Sequence, residues 1–532
     1  MKIKIRISLL ISVLSITVFI LLFIAYFKCN LSFPPDSAHL TLDDEIVKPV
    51  DEVAALKAAI WQDVPRYIPR RRRRKIKVAH IAYDDSNRAV EVSDDDENDA
   101  FLNDASFTTR RGLVDVRLTS NSLFRSKLVK DCLDTERTRS SKDNRQLFPD
   151  LLQLSQEMKT SPLFGSDALQ SRITLKQLLN RESENNLTTV EKFQNKISIQ
   201  DLYEENDPDV DALLEEMATM KIKRVVENSK GTQLKLFITF DDGSQAMLKP
   251  MRFDRETETN PNHFYFTDFE RHNSEIAAFH LDRILGFRRC PPVVGRKVSI
   301  KTELFDNAEK DLRKTFFISP ANNICFHGHC KQYCDTSHAI CGQPASVEVS
   351  LATLLLPERK KWKNPWKRSY RKRIPMAEWE KNDLYCQVVR QQELYDNSKR
   401  LADLMDVFIL DFLIGNMDRH TYETFEIFGN DSFILHLDQG RGFGRANHDE
   451  MSILTPLTQC CFLHSKTFYR LLDLQHETMK LSTLMRCSLY RDPLNPILPN
   501  AHLEALDRRL ETILHAIRDC IQKLGMNNVF YR

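Results

Sequence analysis

The sequence has almost no net charge, because 76 lysines and arginines are offset by 74 aspartates and glutamates. That balance argues against a nucleic-acid partner, which calls for a basic surface. It also lacks any C-x2-C pair, although it holds twelve cysteines. Structural zinc knuckles are therefore a poor reading of its cysteine-dense stretch. No G-x-G-x-x-G loop occurs, so the usual glycine-rich cradle for nucleotide phosphates is missing.

What is present starts at the N-terminus. Lys2, Lys4 and Arg6 precede an uncharged run from Ile7 to Phe27, and Lys28 follows. Such a run is about the length that crosses a bilayer's hydrocarbon. A cleaved signal peptide would have a shorter apolar core and a small-residue cleavage site; here Tyr26, Phe27 and Lys28 stand instead. With the basic cluster before the span and none directly after it, the positive-inside rule predicts a type II topology. Residues 1–6 are read as a cytosolic tail, 7–27 as a transmembrane signal anchor, and the rest as lumenal. The chain has ample apolar content (42%) for a large core.

An oxidising lumen suits the cysteines. Cys325, Cys330, Cys334 and Cys341 fall within 17 residues, which reads there as disulfides rather than zinc. Asn30, Asn186 and Asn430 begin glycosylation sequons.

Residues 28–195 read as a largely irregular stem. Arg70 to Lys75 is wholly basic and Ser93 to Asp99 strongly acidic, without sustained periodicity. For the basic run, a solvated linker and a site of proteolytic processing stay open. From about residue 230 the pattern tightens. Leu234, Leu236 and Ile238 alternate with Lys235, Phe237 and Thr239, and Asp241-Asp242-Gly243 turns the chain back into Gln245–Met251. That is a hairpin. Thr267–Leu285 reads as a helix stopped by Gly286, and Leu401–Leu413 as a buried helix stopped by Gly415-Asn416. Phe433–Leu437 reads as a strand, and the last helix starts near Asn500. The predicted fold is α+β in two lobes: residues 196–345 as the N-lobe with linking segments, and 346–532 as a mainly helical C-lobe.

Two carboxylates then stand out. Asp418 follows the buried helix, and Asp438 follows the strand 20 residues later. Phosphoryl transfer needs one carboxylate to orient the attacking hydroxyl and another to hold a metal bridging the phosphates. Protein kinases place them in this order. Glu423 stands five beyond Asp418, where ordinary kinases carry a metal-binding Asn; a carboxylate there is compatible with Mg²⁺ or Mn²⁺. Lys249, closing the hairpin, is placed to reach ATP phosphates. Its partner would be Glu270 or Glu275 on the next helix, although Thr267-Asp-Phe-Glu270 also spells a capping box. H-R-D and D-F-G are both absent. Spacing alone supports an atypical kinase or another metal-dependent transferase.

The stretches ERHNSEIAAFHLDRILGFRR (270–289), SPANNICF (319–326), FLIGNMDRH (412–420), HLDQGRGFG (436–444) and the paired Cys460-Cys461 resemble the Four-jointed-related secretory kinase family, in its secreted-protein kinase branch. The resemblance covers about residues 225–525. It implies an atypical protein-kinase-like fold, ATP as co-substrate, Mn²⁺ (or Mg²⁺), and acidic secreted substrates phosphorylated in Ser-x-Glu motifs. On that basis Asp418 is the catalytic base and Asp438 the metal ligand. Glu423 and Lys249 serve the nucleotide, Gln233 touches ATP, and Ala352, Thr353, Leu354 and Leu355 line the adenine pocket. The resemblance also selects Glu270 as a metal-contacting residue. The implied disulfides are Cys325–Cys341, Cys330–Cys334, Cys386–Cys460 and Cys461–Cys520, with Cys290 and Cys487 as buried thiols. Adjacent Cys460 and Cys461 need separate partners in any case, since a vicinal bridge is strained. Gln439 and Thr421 depart from the Asn and His that the family pattern leads one to expect. A related pseudokinase or a second copy is a candidate partner, and the Golgi membrane the expected location, with secretion after stem cleavage. Rival readings are a xylose kinase of the same family, a Golgi glycosyltransferase and a non-catalytic scaffold.

Overall fold

Short-range signals in the sequence account for the helices and hairpins; long-range pairing assembles them. The computed structural model describes residues 132, 147–161, 172–180, 186–228, 231–261, 263, 265–369, 376–476 and 480–531. The anchor at 7–27, Asn30 and the charged runs of the stem lie outside these residues. Among the described residues, no helix is long and apolar enough to cross a membrane.

Helix α1 (Pro149–Thr160) buries Leu151 and Met158, and α2 (Thr189–Lys196) buries Phe193. The stretch up to residue 195 is expected to be largely irregular or only locally helical, and these helices are its ordered parts where it is described. The reason is local: Thr188 and Glu191 form a capping box at the start of α2. Asp207 caps α3 (Pro208–Thr219) through the Asp209 amide.

A five-stranded sheet follows. Strand β1 (Ile222–Glu227) pairs antiparallel with β2 (Leu236–Phe240), and β2 with β3 (Gln245–Pro250). The β2–β3 turn carries Gly243 at φ +88°, a backbone that favours glycine. Helix α4 (His272–Ile284) precedes β4 (Val293–Ser299). A small sheet of β5 (Phe317–Ile318), β6 (Ile324–Phe326) and β7 (Ile340–Cys341) comes next. Cys325 and Cys341 are register partners there and are disulfide-bonded. Strand β8 (Ser346–Thr353) then inserts between β3 and β4, giving the order β1-β2-β3-β8-β4. The β-rich half therefore extends to Thr353, beyond the expected boundary at 345.

Strand β9 (Arg359–Lys363) pairs with β10 (Thr421–Phe425). Between them lies α5 (Lys399–Ile414), buried throughout from Arg400. Ser398 caps its start through the Leu401 amide, and Gly415 at φ 75° ends it. Phe433–Leu437 is not a regular strand; it makes a single bridge, Glu423 to Leu435. Helices α6 (Ser465–His476), α7 (Leu481–Leu489) and α8 (Asn500–Leu524) complete the helical half. Helix α8 buries Leu503, Leu506, Leu510, Ile513, Ile517 and Cys520, and Cys520 is bonded to Cys461. Cys330–Cys334 and Cys386–Cys460 are also bonded, and Cys290 is a buried free thiol. Cys487, expected to be free, is bonded to Cys132. That bridge spans 355 residues of sequence, a distance over which no local pattern signals a pairing.

Candidate active site

The end of β3 delivers Lys249 into a pocket of carboxylates. Its Nζ lies 2.6 Å from Glu275, 2.8 Å from Glu270 and 2.9 Å from Asp438. A second ammonium, Lys235, stands just before β2, 3.7 Å from Asp438 and 3.8 Å from Glu270. Burial opposes the charge on Lys249, but Asp438, Glu270 and Glu275 outweigh it and hold its pKa well above the ordinary lysine value. Lys235 and Lys249 in turn hold the Asp438 carboxyl well below the usual carboxylate range. Glu270 is also lowered: burial pushes it up, and the two lysines overcome this.

Three carboxylates against two ammonium groups leave one negative charge. Glu270, Glu275 and Asp438 each offer an oxygen within 4.8 Å of the others. Hard oxygen donors so spaced suit Mg²⁺ or Mn²⁺. Asp438 is half exposed (51%) while Glu270 (13%) and Glu275 (9%) are largely covered, so the cluster opens on the Asp438 side. A second group, Asp403, Asp406 and His464, is also ligand-like. There Arg289 lies 3.0 Å from each aspartate, and the guanidinium already supplies the cation.

The glutamates are not arranged as the sequence suggested. Helix α4 begins at His272, with Tyr265–Thr267 as a separate 3-10 turn. Glu270 thus precedes the helix and forms no capping box; its amide donates to Gln233 Oε1 at 3.1 Å. Gln233 is buried and also donates to the Asp268 carbonyl at 2.7 Å, so here it orients Glu270. Glu275, the alternative set aside in favour of Glu270, is the one on the helix, and both meet Lys249.

Asp418 follows α5. Arg441 pairs with its carboxylate, and His420 Nδ1 lies 3.5 Å away. The loop is tied to the Asp438 segment at several points. Asn416 accepts from the Asp418 amide at 3.0 Å and donates to the Asp438 carbonyl at 3.3 Å. Arg419 is paired with buried Asp411 at 2.7 Å, and donates to the Leu437 carbonyl and to Gln439 Oε1 at 2.8 Å. Gln439, the departure from the family pattern, is thus wholly buried in this tie. Asp438 itself adopts φ 59°, a conformation uncommon outside glycine. Gly440 follows, and a Cβ there would stand 2.9 Å from Glu270 Cβ, so the loop can approach only as glycine.

The remaining expected residues lie on adjoining elements. Glu423 is on β10, 3.4 Å from Arg359, and is not among the clustered carboxylates. Ala352 and Thr353 end β8, and Leu354 donates to the Gln245 carbonyl. Thr353 and Leu355 are buried, whereas Ala352 and Leu354 are half-buried. Asn186 and Asn430 are exposed. Sequence reasoning passed over Lys235, Asn416, Arg419 and Arg441. Their signal was proximity: each lies within three residues of a residue it singled out.

A strand lysine joined to a helix glutamate, a carboxylate loop after a buried helix, and a second carboxylate on the following turn define a kinase-type phosphoryl-transfer site. Comparison narrows the class. Residues 188–529 match the family model described as Golgi casein kinase, C-terminal, Fam20. The chain belongs to the Fam20 family. It is 54% identical over 343 residues to the human extracellular serine/threonine protein kinase FAM20C, covering 64% of this chain and 59% of that one. It is 53% identical over 361 residues to the Drosophila melanogaster extracellular serine/threonine protein CG31145, covering 67% and 68%. Human glycosaminoglycan xylosylkinase is 39% identical over 334 residues, covering 62% and 79%. Among solved structures, the Golgi casein kinase with Mn/ADP bound superposes with a TM-score of 0.67 at 41% identity, covering 71% of this chain and 91% of that one. The fold is kinase-like.

Proposed function

We propose that this chain is a protein kinase of the secretory pathway that transfers the γ-phosphate of ATP to serine in secreted proteins, in Ser-x-Glu motifs. Mn²⁺ or Mg²⁺ is its cofactor and ATP its co-substrate. The observation that carries this reading is the junction of the two carboxylate sets. Asn416 and Arg419 lock Asp418 to the segment that presents Asp438 beside Glu270, Glu275 and Lys249.

Glu270, Glu275 and Asp438 would hold the metal, which neutralises charge developing on the phosphates. Lys249, with Lys235 beside it, faces the phosphate oxygens. Asp418 orients the serine hydroxyl and accepts its proton as the phosphoryl group moves across. Arg441 holds Asp418 in place until substrate arrives. Glu423, on β10, assists the nucleotide. The expected setting is the Golgi lumen, with the chain anchored through residues 7–27 or released after stem cleavage, and a related pseudokinase or a second copy as partner. The higher identity to the protein kinase than to the xylosylkinase supports a protein substrate.

The test supplies the full chain with Mn²⁺ and ATP and offers a Ser-x-Glu peptide, its Ser-x-Gln analogue and a xyloside. Phosphate on the first alone supports the reading. Phosphorylation of the xyloside alone would assign the chain to glycan chemistry, and a parallel reaction with a nucleotide sugar in place of ATP, if it alone gave transfer, would remove the chain from the kinases.

A further inference from the structure

From Arg359 to Arg368 the sequence reads RKKWKNPWKR, with six cationic side chains and no acidic one. Its first half is β9, which pairs with β10 along one edge and with no strand along the other among the described residues. Its second half turns onto the catalytic loop. The Asn364 amide donates to the His420 carbonyl at 3.0 Å, and its side chain donates to the Arg419 carbonyl at 2.7 Å. Beyond it, Arg368 lines a small cleft of about 20 Å³ whose wall includes Met417 and Arg419, on either side of Asp418.

These cations are not equally engaged. Arg359 lies 3.4 Å from Glu423, and Arg368 lies 3.8 Å from Glu380 and donates to Ser452 at 2.6 Å. Lys360, Lys363 and Lys367 are exposed, and no carboxylate among the described residues pairs with them. Lys360 stands opposite Thr424 and Lys363 opposite Thr421. Three residues apart on a strand, they project to opposite faces. An extended chain laid along the open edge of β9 would meet a cation on each face and then Lys367, three residues past the Asn364 tie to the catalytic loop.

We propose that β9 and the segment to Arg368 form a docking surface for an acidic stretch of the polypeptide substrate, lying outside the motif that carries the phosphorylated serine. The inference rests on the protein-kinase reading above. Strand addition at an open edge supplies the backbone contacts, and the lysines select for acidic side chains. The partner is a polypeptide because the surface runs into the loop that orients the acceptor hydroxyl, so docking and reaction fall on one chain. A different account of the same residues is that edge lysines merely prevent sheet-to-sheet aggregation.

The experiment compares the full chain with the triple variant Lys360→Gln, Lys363→Gln, Lys367→Gln. Two labelled peptides share one Ser-x-Glu core, followed by a run of either glutamate or glutamine. Binding is read by fluorescence anisotropy without ATP, and transfer by KM and kcat with Mn²⁺ and ATP. All three lysines are exposed, so the substitutions spare the core. The expected result is that the glutamate-tailed peptide binds more tightly to wild type. The variant should lose roughly tenfold in its Kd and KM, each exposed charge giving a few-fold, with kcat and the KM for ATP unchanged. Equal binding of both peptides by wild type overturns the proposal, as does unchanged affinity in the variant, with or without aggregation. Loss of heparin binding in the variant with peptide affinity intact would assign the surface to sulfated glycans instead, and also overturns it. Tight binding of the glutamate-tailed peptide without any transfer would sink the kinase reading while leaving the docking surface in place.

Discussion

At the scale of single residues, the site turns on how three carboxylates share two lysines. Glu270 and Glu275 both lie within 2.8 Å of Lys249, so neither is a spectator. Glu275→Gln should weaken Mn²⁺-dependent ATP binding by roughly 10–100-fold, the range for losing a group that holds a metal site together. Glu270→Gln should do the same. A Mn²⁺ titration of ATP binding checks this; wild-type affinity in Glu275→Gln would leave Glu275 with only a packing role. Gly440→Ala should slow transfer with little loss of global stability, because its Cβ would meet Glu270 Cβ at 2.9 Å and displace that side chain. Circular dichroism beside a kinase assay separates the two effects. A substantial loss of thermal stability would instead place the strain in the core.

At the scale of elements, local signals and long-range pairing divide what could be read. Helix α5 was legible because its apolar run and the Gly415-Asn416 stop mark its body and end, while the Ser398 cap that starts it shows only in the structure. The β2–β3 hairpin was legible from alternation and its turn. Helix α4 was misplaced by five residues because Thr267-Asp-Phe-Glu270 imitates a cap, while the true N-cap, Arg271, makes no side-chain bond. Glu275 was a candidate all the same; the resemblance set it aside for Glu270, and the structure brings both to Lys249. Strand β8 was assigned to the wrong half since its partner β3 lies about a hundred residues earlier, and nothing in β8 itself names a neighbour. Asp418 and Asp438 were found by spacing, but Arg441 and Lys235 reach them only through the fold. The disulfides belong to this scale too. Cys461–Cys520 ties α8 to the segment after the active-site loops and closes 59 residues, so Cys520→Ser should cost about 4 kcal/mol of stability in the chain-entropy model. Denaturant unfolding measures it, and a change below about 1 kcal/mol would contradict the estimate. Non-reducing peptide mapping should recover Cys132 joined to Cys487 and Cys290 as a thiol; a Cys290–Cys487 bridge would refute the assignment.

For the molecule as a whole, acid stability follows from buried neutral histidines. Burial pushes His280 down to about 3 and His502 to about 4, below the ordinary histidine value near 6.5. A depressed folded pKa stabilises the fold above the unfolded pKa, and that stability drains away as pH falls toward the folded pKa. Between pH 7 and 5 each histidine should therefore remove about 2 kcal/mol. His280→Asn should flatten the decline; an equally steep one in the variant would place the cause elsewhere. Asp438 does not titrate in this window. Its lowered pKa keeps it ionised through the same window, so Mn²⁺-dependent nucleotide binding should persist wherever the protein stays folded. The central claim is that one scaffold holds a metal-binding carboxylate and a separate base. It is tested most directly by measuring Mn²⁺-dependent ATP binding and phosphate transfer to a Ser-x-Glu peptide side by side in wild type, Asp438→Ala and Asp418→Ala. The account predicts that Asp438→Ala loses both, while Asp418→Ala keeps ATP binding and loses transfer by a factor on the order of 10²–10⁴. Near-normal turnover in Asp418→Ala, or undiminished metal-dependent binding in Asp438→Ala, would contradict it.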